Sequence, residues 1–241
     1  MNAAIDLGNS RLKVLRSDGR YSVCSLDTLD WAELETVLAP VRQVVLSSVN
    51  PRFEPTLRQF LGERWTAYSA QELLRRQTLP ITIAAEGVGT DRVLGVLGAL
   101  RYAEPPLVVV DFGTAMTATL LDRERRLIGG FILPGVTLQL QALQQKFPHL
   151  PVPEQLARWQ HKPGATTADA IVAGLGLWVE AMIRAVYTAA TMCFTTEHVA
   201  VCVTGGIAPM LAEMVARVDV PVRVVPKLVA EGALTLLEEA V

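Results

Sequence analysis

The chain has 241 residues, 51% of them apolar, with 22 basic against 24 acidic side chains and a net charge of -2. That length is ample for a real core and admits one large domain or two smaller ones. The near-neutral balance offers no basic field for a nucleic acid.

In chain order, Ala3 to Leu7 is an apolar run that stops at Gly8-Asn9-Ser10 and resumes as a second run through Lys13 and Val14. This predicts a strand, a tight polar turn and a return strand. A third strand is expected over Tyr21 to Leu26, a helix over Trp31 to Leu38, a buried strand over Gln43 to Ser48 and a helix over Phe53 to Gly62. Leu73 to Gly89 is expected to contain a loop over the site. Val93, Leu94, Val96, Leu97 and Leu100 then fall on one helix face, with Thr90 placed as N-cap.

Leu107 restarts the pattern, with strands over Leu107 to Phe112, Met116 to Asp122 and Leu127 to Leu133, and a helix over Gly135 to Lys146. A proline-marked passage leads to a long apolar helix over Thr167 to Phe194. A strand over Val199 to Val203, a helix over Ile207 to Arg217, a strand over Val222 to Val225 and a helix over Leu228 to Ala240 close the chain. The second half repeats the order strand, strand, strand, helix, strand, helix, with the long helix inserted. Such a duplication is the layout of the actin-like, or ribonuclease H-like, α/β fold. It divides the chain into residues 1–105 and residues 106–241, the latter carrying the long helix.

That long apolar segment is broken by Glu180 and Arg184. Two charges are unwelcome in a bilayer span, and their spacing of four suits a helical ion pair. A soluble protein is expected, without a secretory leader, because the first strand begins beside Met1 with no basic lead-in. Cys24, Cys193 and Cys202 lack metal-ligand spacing and sit among apolar residues, which predicts reduced, buried thiols in a cytosolic setting. His149, His161 and His198 are scattered and read as surface residues.

Two turns carry the chemistry. After the first strand, Gly8 lets the backbone approach a phosphate, turn amides can donate to it, and Lys13 can reach back to its oxygens, while Asp6 could hold Mg²⁺. Asp111-Phe112-Gly113-Thr114 repeats the arrangement, with a second carboxylate and a hydroxyl. Facing carboxylates need cations between them. The expectation is a phosphate and metal site built from both halves. Gly89-Thr90-Asp91-Arg92 puts a carboxylate and a guanidinium in the first turn of a helix, where one can accept a proton and the other bind an anion. The helix dipole is expected to lower the Asp91 pKa. Two glycine motifs, Gly129 to Gly135 and Thr204-Gly205-Gly206, can bring backbone against a ligand, and Gly174-Leu175-Gly176 suits close helix packing.

Taken together, Asp6-Leu7-Gly8-Asn9-Ser10, Gly89-Thr90-Asp91-Arg92, Asp111-Phe112-Gly113-Thr114-Ala115 and Gly129-Gly130-Phe131-Ile132-Leu133-Pro134-Gly135 resemble the type III pantothenate kinases. The resemblance implies the acetate and sugar kinase, heat-shock 70, actin fold and ATP-dependent phosphorylation of pantothenate in coenzyme A synthesis. It further implies a cytoplasmic homodimer that uses Mg²⁺ and a monovalent cation such as K⁺ or NH₄⁺. On its matching positions, Asp6, Leu7, Gly8, Asn9, Ser10, Arg11, Leu12 and Lys13 form the ATP phosphate loop, and Thr114 contacts ATP. Gly89, Thr90, Asp91 and Arg92 contact pantothenate, with Asp91 as proton acceptor. Asp111 binds the monovalent cation, beside Asp6 as a metal ligand, and Thr167, or its neighbour Thr166, reaches the partner subunit's substrate. The chain departs from the family at Ser10, where Thr is usual, at Val93, and at Thr82, Ala84 and Ala85, where an aromatic and an Asn-Pro pair are common. That altered loop keeps another small hydroxylated substrate open, and a non-catalytic nucleotide-binding regulator on the same fold is the alternative of a different class.

Overall fold

The computed structural model describes residues 1–62, 64–153, 162–196, 198–215 and 217–240, without the side chains of 209, 212 and 213. His161 lies outside the described residues. The chain forms two compact units, Met1–Tyr102 with Lys227–Val241, and Ala103–Pro226.

In the first unit, β1 (Asn2–Leu7), β2 (Arg11–Arg16) and β3 (Tyr21–Ser25) make an antiparallel meander. The 3₁₀ turn Leu26–Thr28 and α1 (Trp31–Leu38) follow, then β4 (Gln43–Ser48), α2 (Glu54–Gly62) and β5 (Thr66–Ser69). The sheet order is β3-β2-β1-β4-β5, with β1 parallel to β4 and β4 parallel to β5. Asp30 accepts from the N–H groups of Ala32 and Glu33 and so starts α1. One sheet face buries Ala3, Ile5, Leu7, Val14 and Val44 against Leu34 and Leu38 of α1 and Leu57 and Leu61 of α2. Trp65 closes that layer, its indole N–H donating to the Leu38 carbonyl at 3.1 Å.

The stretch expected to contain a loop holds the end of α3 (Ala70–Arg76) and the two-residue strand β6 (Thr82–Ile83), with irregular backbone over 77–81 and 84–89. It precedes α4 (Thr90–Ala99). The strand β5 and α3 were not legible because Thr66–Ser69 is short and without an apolar run, and its pairing with β4 supplies what its composition does not.

The second unit contains β7 (Leu107–Phe112), β8 (Ala115–Leu121), β9 (Arg126–Pro134), α5 (Val136–Lys146), α6 (Thr167–Phe194), β10 (Ala200–Thr204), α7 (Ala208–Val215) and β11 (Val222–Val224). Its strands run β9-β8-β7-β10-β11, antiparallel over β7-β8-β9 and parallel over β7-β10-β11. This is the first sheet's order over again. The duplication expected from the pattern is therefore present in topology, and β5 is the counterpart of β11.

Helix α6 starts and stops as predicted. The Thr166 hydroxyl caps it by accepting from the Asp169 N–H, and Thr195 ends it in the left-handed conformation (φ 53°). Its Leu175, Val179, Ile183, Val186 and Ala190 enter the unit's core, and Trp178 packs edge-on to Phe112. The helix is long and apolar enough to cross a membrane by length and composition alone. Arg184 donates to the Arg217 carbonyl at 2.8 Å.

The last helix, α8 (Leu228–Ala240), packs with the first unit, although it follows β11 in sequence and was expected with the C-terminal half. It lies against α4, β1 and β4. Gln77, the residue after α3, donates to the Leu236 carbonyl at 3.0 Å, and buried Glu231 takes the Tyr102 hydroxyl at 2.7 Å. The crossing of α4 and α8 is backbone on backbone: a Cβ on Gly232 would stand 2.0 Å from the Leu94 oxygen, and one on Gly98 would stand 2.1 Å from the Leu228 oxygen.

The cysteines differ from expectation. Only Cys202 is buried; Cys24 is half-buried and Cys193, on the outer side of α6, is exposed. An apolar run on a one-sided helix has a solvent face, and Cys193 falls on it beside Met192. His149 and His198 are exposed, as expected.

Candidate functional site

In the first unit, the β1–β2 hairpin is closed by the Gly8 N–H donating to the Arg11 carbonyl at 2.9 Å. Leu7 and Leu12 flank the turn with fully buried side chains, so only their backbone can face a ligand. Asn9, Ser10 and Arg11 are exposed at its tip. The Ser10 carbonyl accepts from the Leu26 N–H at 3.0 Å, which ties the turn to the end of β3.

Asp6 and Lys13 are register partners, and the Lys13 ammonium donates to Asp6 Oδ2 at 2.9 Å. Sequence spacing gave these two residues separate roles. The hairpin register puts them side by side instead, so the nearly buried carboxylate already has a counter-charge.

Asp91 stands in the first turn of α4. Gly89, not Thr90, is the N-cap (φ -62°, ψ 146°), and Thr90 is the first helical residue. A Cβ on Gly89 would stand 2.5 Å from Asp91 Oδ1, so any other residue there would push the carboxylate aside. Burial pushes the Asp91 carboxyl above its usual range; the Arg92 N–H pulls it back and the charge of Asp6 pushes it further up. The expected downward shift is thus reversed. Desolvation outweighs the helix-terminal field when the carboxylate sits inside the protein surface. Arg92 is itself depressed by burial, with Asp91 acting in the opposite sense. The structure therefore brings Asp6, at the end of the strand before the glycine turn, within electrostatic reach of Asp91.

One contributor escaped the sequence reading. Asn50, just beyond β4, donates from Nδ2 to the Gly8 carbonyl at 3.2 Å. Its only sequence signal was an Asn-Pro pair at a strand end.

In the second unit, Asp111 ends β7 beside Thr204 of β10, its register partner. Gly205 has φ 107°, and a Cβ there would stand 2.5 Å from both Asp111 Oδ1 and the Phe112 oxygen. Gly113 also borders Oδ1, its Cβ position 3.5 Å away. Gly135, the N-cap of α5, donates to the Thr114 carbonyl at 2.9 Å, and a Cβ on it would meet the Gly113 oxygen at 2.2 Å. The Asp111 turn and both glycine motifs are therefore brought together, with Thr114 half-exposed among them. Positive φ at Gly129 and Gly130 accompanies a bulge in β9 opposite Leu120 and Leu121.

Thr166 and Thr167 separate clearly. Thr166 spends its hydroxyl on the α6 cap, donating to Asp169 Oδ2 at 2.8 Å, whereas Thr167 is exposed on the first turn. Among the described residues, no three His, Cys, Asp or Glu side chains cluster as a metal cage.

Comparison with solved structures supports the fold. A chain from Campylobacter jejuni described as a Baf family transcriptional activator superposes with TM-score 0.64 at 19% identity, covering 99% of this chain and 98% of that one. An archaeal actin homolog, Ta0583, in complex with ADP gives 0.53 at 14% identity, covering 99% and 98%. The duplicated sheets are thus those of the actin-like fold. At the sequence level, a type III pantothenate kinase of Thermosynechococcus vestitus is 37% identical over 145 residues, 58% of this chain and 55% of that protein. One from Dichelobacter nodosus is 33% identical over 188 residues, 73% of this chain and 74% of that protein. The matched stretch thus spans little more than half of the first relative and about three quarters of the second. The family described as type III pantothenate kinase matches residues 3–189. With that match spanning most of the chain, and with its fold, this protein belongs to the type III pantothenate kinase family.

Proposed function

We propose that this chain is itself a pantothenate kinase, transferring the γ-phosphoryl group of ATP to the terminal hydroxyl of pantothenate, and that Asp91 is its proton acceptor. The observation that carries this reading is the Asp91 carboxyl: half-buried at the start of α4, raised above the ordinary carboxylate range, and coupled to Asp6 of the glycine turn. An Asp raised in this way is a better base than an exposed one. As the oxygen–phosphorus bond forms and the bond to the ADP oxygen breaks, the hydroxyl proton passes to the Asp91 carboxylate. Phosphoryl transfer goes through a loose transition state, so orienting the hydroxyl matters more than base strength.

In this reading the backbone of Gly8 to Arg11 and the ammonium of Lys13 receive the ATP phosphates. Thr114 contacts the nucleotide, and Gly89, Thr90 and Arg92 place pantothenate, the guanidinium toward its carboxylate. Mg²⁺ fits a donor set without a carboxylate cage, since it is commonly held by one or two carboxylates together with substrate phosphates. Asp6 is the carboxylate for it. Asp111 suits a monovalent cation, because the glycines at 113 and 205 keep the space around Oδ1 free of Cβ atoms. Bound there, these cations would offset the charge of the phosphates.

The protein is proposed to act as a cytoplasmic homodimer. In its support, α6 exposes Leu177 (70%) and Met192 (77%), and the free Thr167 hydroxyl stands at the start of that helix. The test is ADP release measured with and without pantothenate, Mg²⁺ and K⁺. Pantothenate-dependent release is expected, falling by about 10²-fold or more in Asp91→Asn. Nucleotide binding without pantothenate-dependent turnover would instead favour the regulator, and wild-type turnover in Asp91→Asn would remove Asp91 from the chemistry.

A further inference from the structure

The peptide that follows Gly8 is held from the far end of the neighbouring strand. Asn50 Oδ1 accepts from the N–H groups of Arg52 at 3.2 Å and Phe53 at 3.0 Å, an Asx turn that leads into α2. Two backbone donors on one side-chain atom identify that atom as the oxygen, which leaves the amide NH₂ facing the Gly8 carbonyl at 3.2 Å. The adjacent Val49 N–H donates to the Leu7 carbonyl at 3.1 Å, so the approach of Asn50 to the turn is itself fixed by the β1–β4 ladder.

The Gly8 N–H is already bonded to Arg11, so both of its backbone polar groups are engaged. The link to Asn9 is trans, and in a trans peptide the C=O and the next N–H point in opposite directions. Gripping the Gly8 oxygen therefore aims the Asn9 N–H away from Asn50. Among the described residues, no protein acceptor takes that N–H, and the Asn9 and Ser10 side chains beside it are exposed. Glycine is the residue least able to resist rotation of this plane. Were it to rotate, an oxygen would face the incoming anion in place of a donor.

We infer that Asn50 is a positioning residue for the nucleotide: its carboxamide locks the Gly8–Asn9 peptide plane so that the Asn9 N–H is presented to a phosphate oxygen. This rests on the kinase reading only for the identity of the ligand as a nucleoside triphosphate.

Asn50→Ser separates this role from a structural one. Serine keeps a hydroxyl that can accept in the turn into α2 but cannot also reach the Gly8 oxygen. Asn50→Asp keeps both acceptor contacts in the same shape and removes the donor. The readouts are the dissociation constant for MgATP by titration calorimetry, the KM for pantothenate and the thermal midpoint. Both variants are expected to bind MgATP about tenfold more weakly, as for one misplaced charge-assisted hydrogen bond, with pantothenate KM and midpoint near wild type. Unchanged MgATP affinity in Asn50→Ser would overturn the inference. So would an affinity loss matched by an equal rise in pantothenate KM and a lowered midpoint, which would mark Asn50 as purely structural. A wild-type protein that binds MgATP without pantothenate-dependent turnover defeats the proposed activity, while weaker binding by the variants would still support Asn50. A wild-type protein that binds no MgATP defeats both.

Discussion

Lys13 and Asp6 face each other across the first hairpin, joined by a 2.9 Å ion pair with both side chains largely withdrawn from water. Their separation of seven in sequence conceals this, since a two-strand register converts it into direct opposition. Lys13 therefore holds the carboxylate in the resting protein.

Replacing Lys13 with Met leaves Asp6 buried without its counter-charge. The variant is expected to be destabilised by about 3 kcal/mol, measured by urea unfolding. Adding Asp6→Asn should restore part of the loss, because the two changes share one interaction and do not add. An additive double variant would show that the pair contributes nothing.

Asp91 gives a signed pH dependence. Its folded pKa is raised, so between its ordinary value of 3.8 in the unfolded chain and the folded value the native state binds more protons than the unfolded one. Stability then falls as pH rises through that window and levels off above it. Asp91→Asn should flatten this slope and be more stable than wild type at neutral pH, seen as a higher thermal midpoint at pH 7 and a smaller difference at pH 4. In the wild type, kcat/KM should decline as pH falls through the raised pKa, since the acceptor must be ionised.

Much of the fold was readable because buried strands and one-sided helices write their period into the sequence. Trp31–Leu38 and Thr167–Phe194 fall where their apolar spacing puts them, and Asp30 and Thr166 cap them in the structure. Thr66–Ser69 did not, because a four-residue edge strand takes its structure from β4 rather than from its own composition. The glycine turns and Asp91 were visible as residue types, but their electrostatics were not. The upward shift of Asp91 comes from burial, and the Asp6–Lys13 pair from register. Asn50 was hidden for a similar reason: its partner, Gly8, is 42 residues away.

The helix crossing at Gly98 and Gly232 leaves no room for a methyl group. Gly232→Ala improves helix propensity by about 1 kcal/mol but forces the Leu94 carbonyl away, and a net loss of about 2 kcal/mol is expected from denaturant titration. Because α4 also carries Asp91, kcat should fall in this variant while MgATP affinity stays near wild type. A stabilised Gly232→Ala protein would mean that the two helices do not touch in this way.

The three thiols should react in order of exposure. Cys193 is open to solvent and should be alkylated in the native protein within minutes. Cys24 is half-buried, with its thiol pushed up by burial and by Glu33, and should lag. Cys202 is fully buried and raised to about 11 by burial, so it should be modified only on unfolding. Mass spectrometry of timed iodoacetamide samples reads this directly, and early labelling of Cys202 would contradict its place in β10.

The first unit is assembled from both ends of the chain, with α8 completing the cover over α4 and β1. During synthesis this has a temporal consequence. The buried faces of Val93, Leu94 and Val96 exist as nascent chain long before Leu228 to Leu237 are made. The second unit is continuous and can close on its own while these apolar residues await their cover. The helix that bears Asp91 therefore reaches its final packing only after Leu228 to Leu237 have been made.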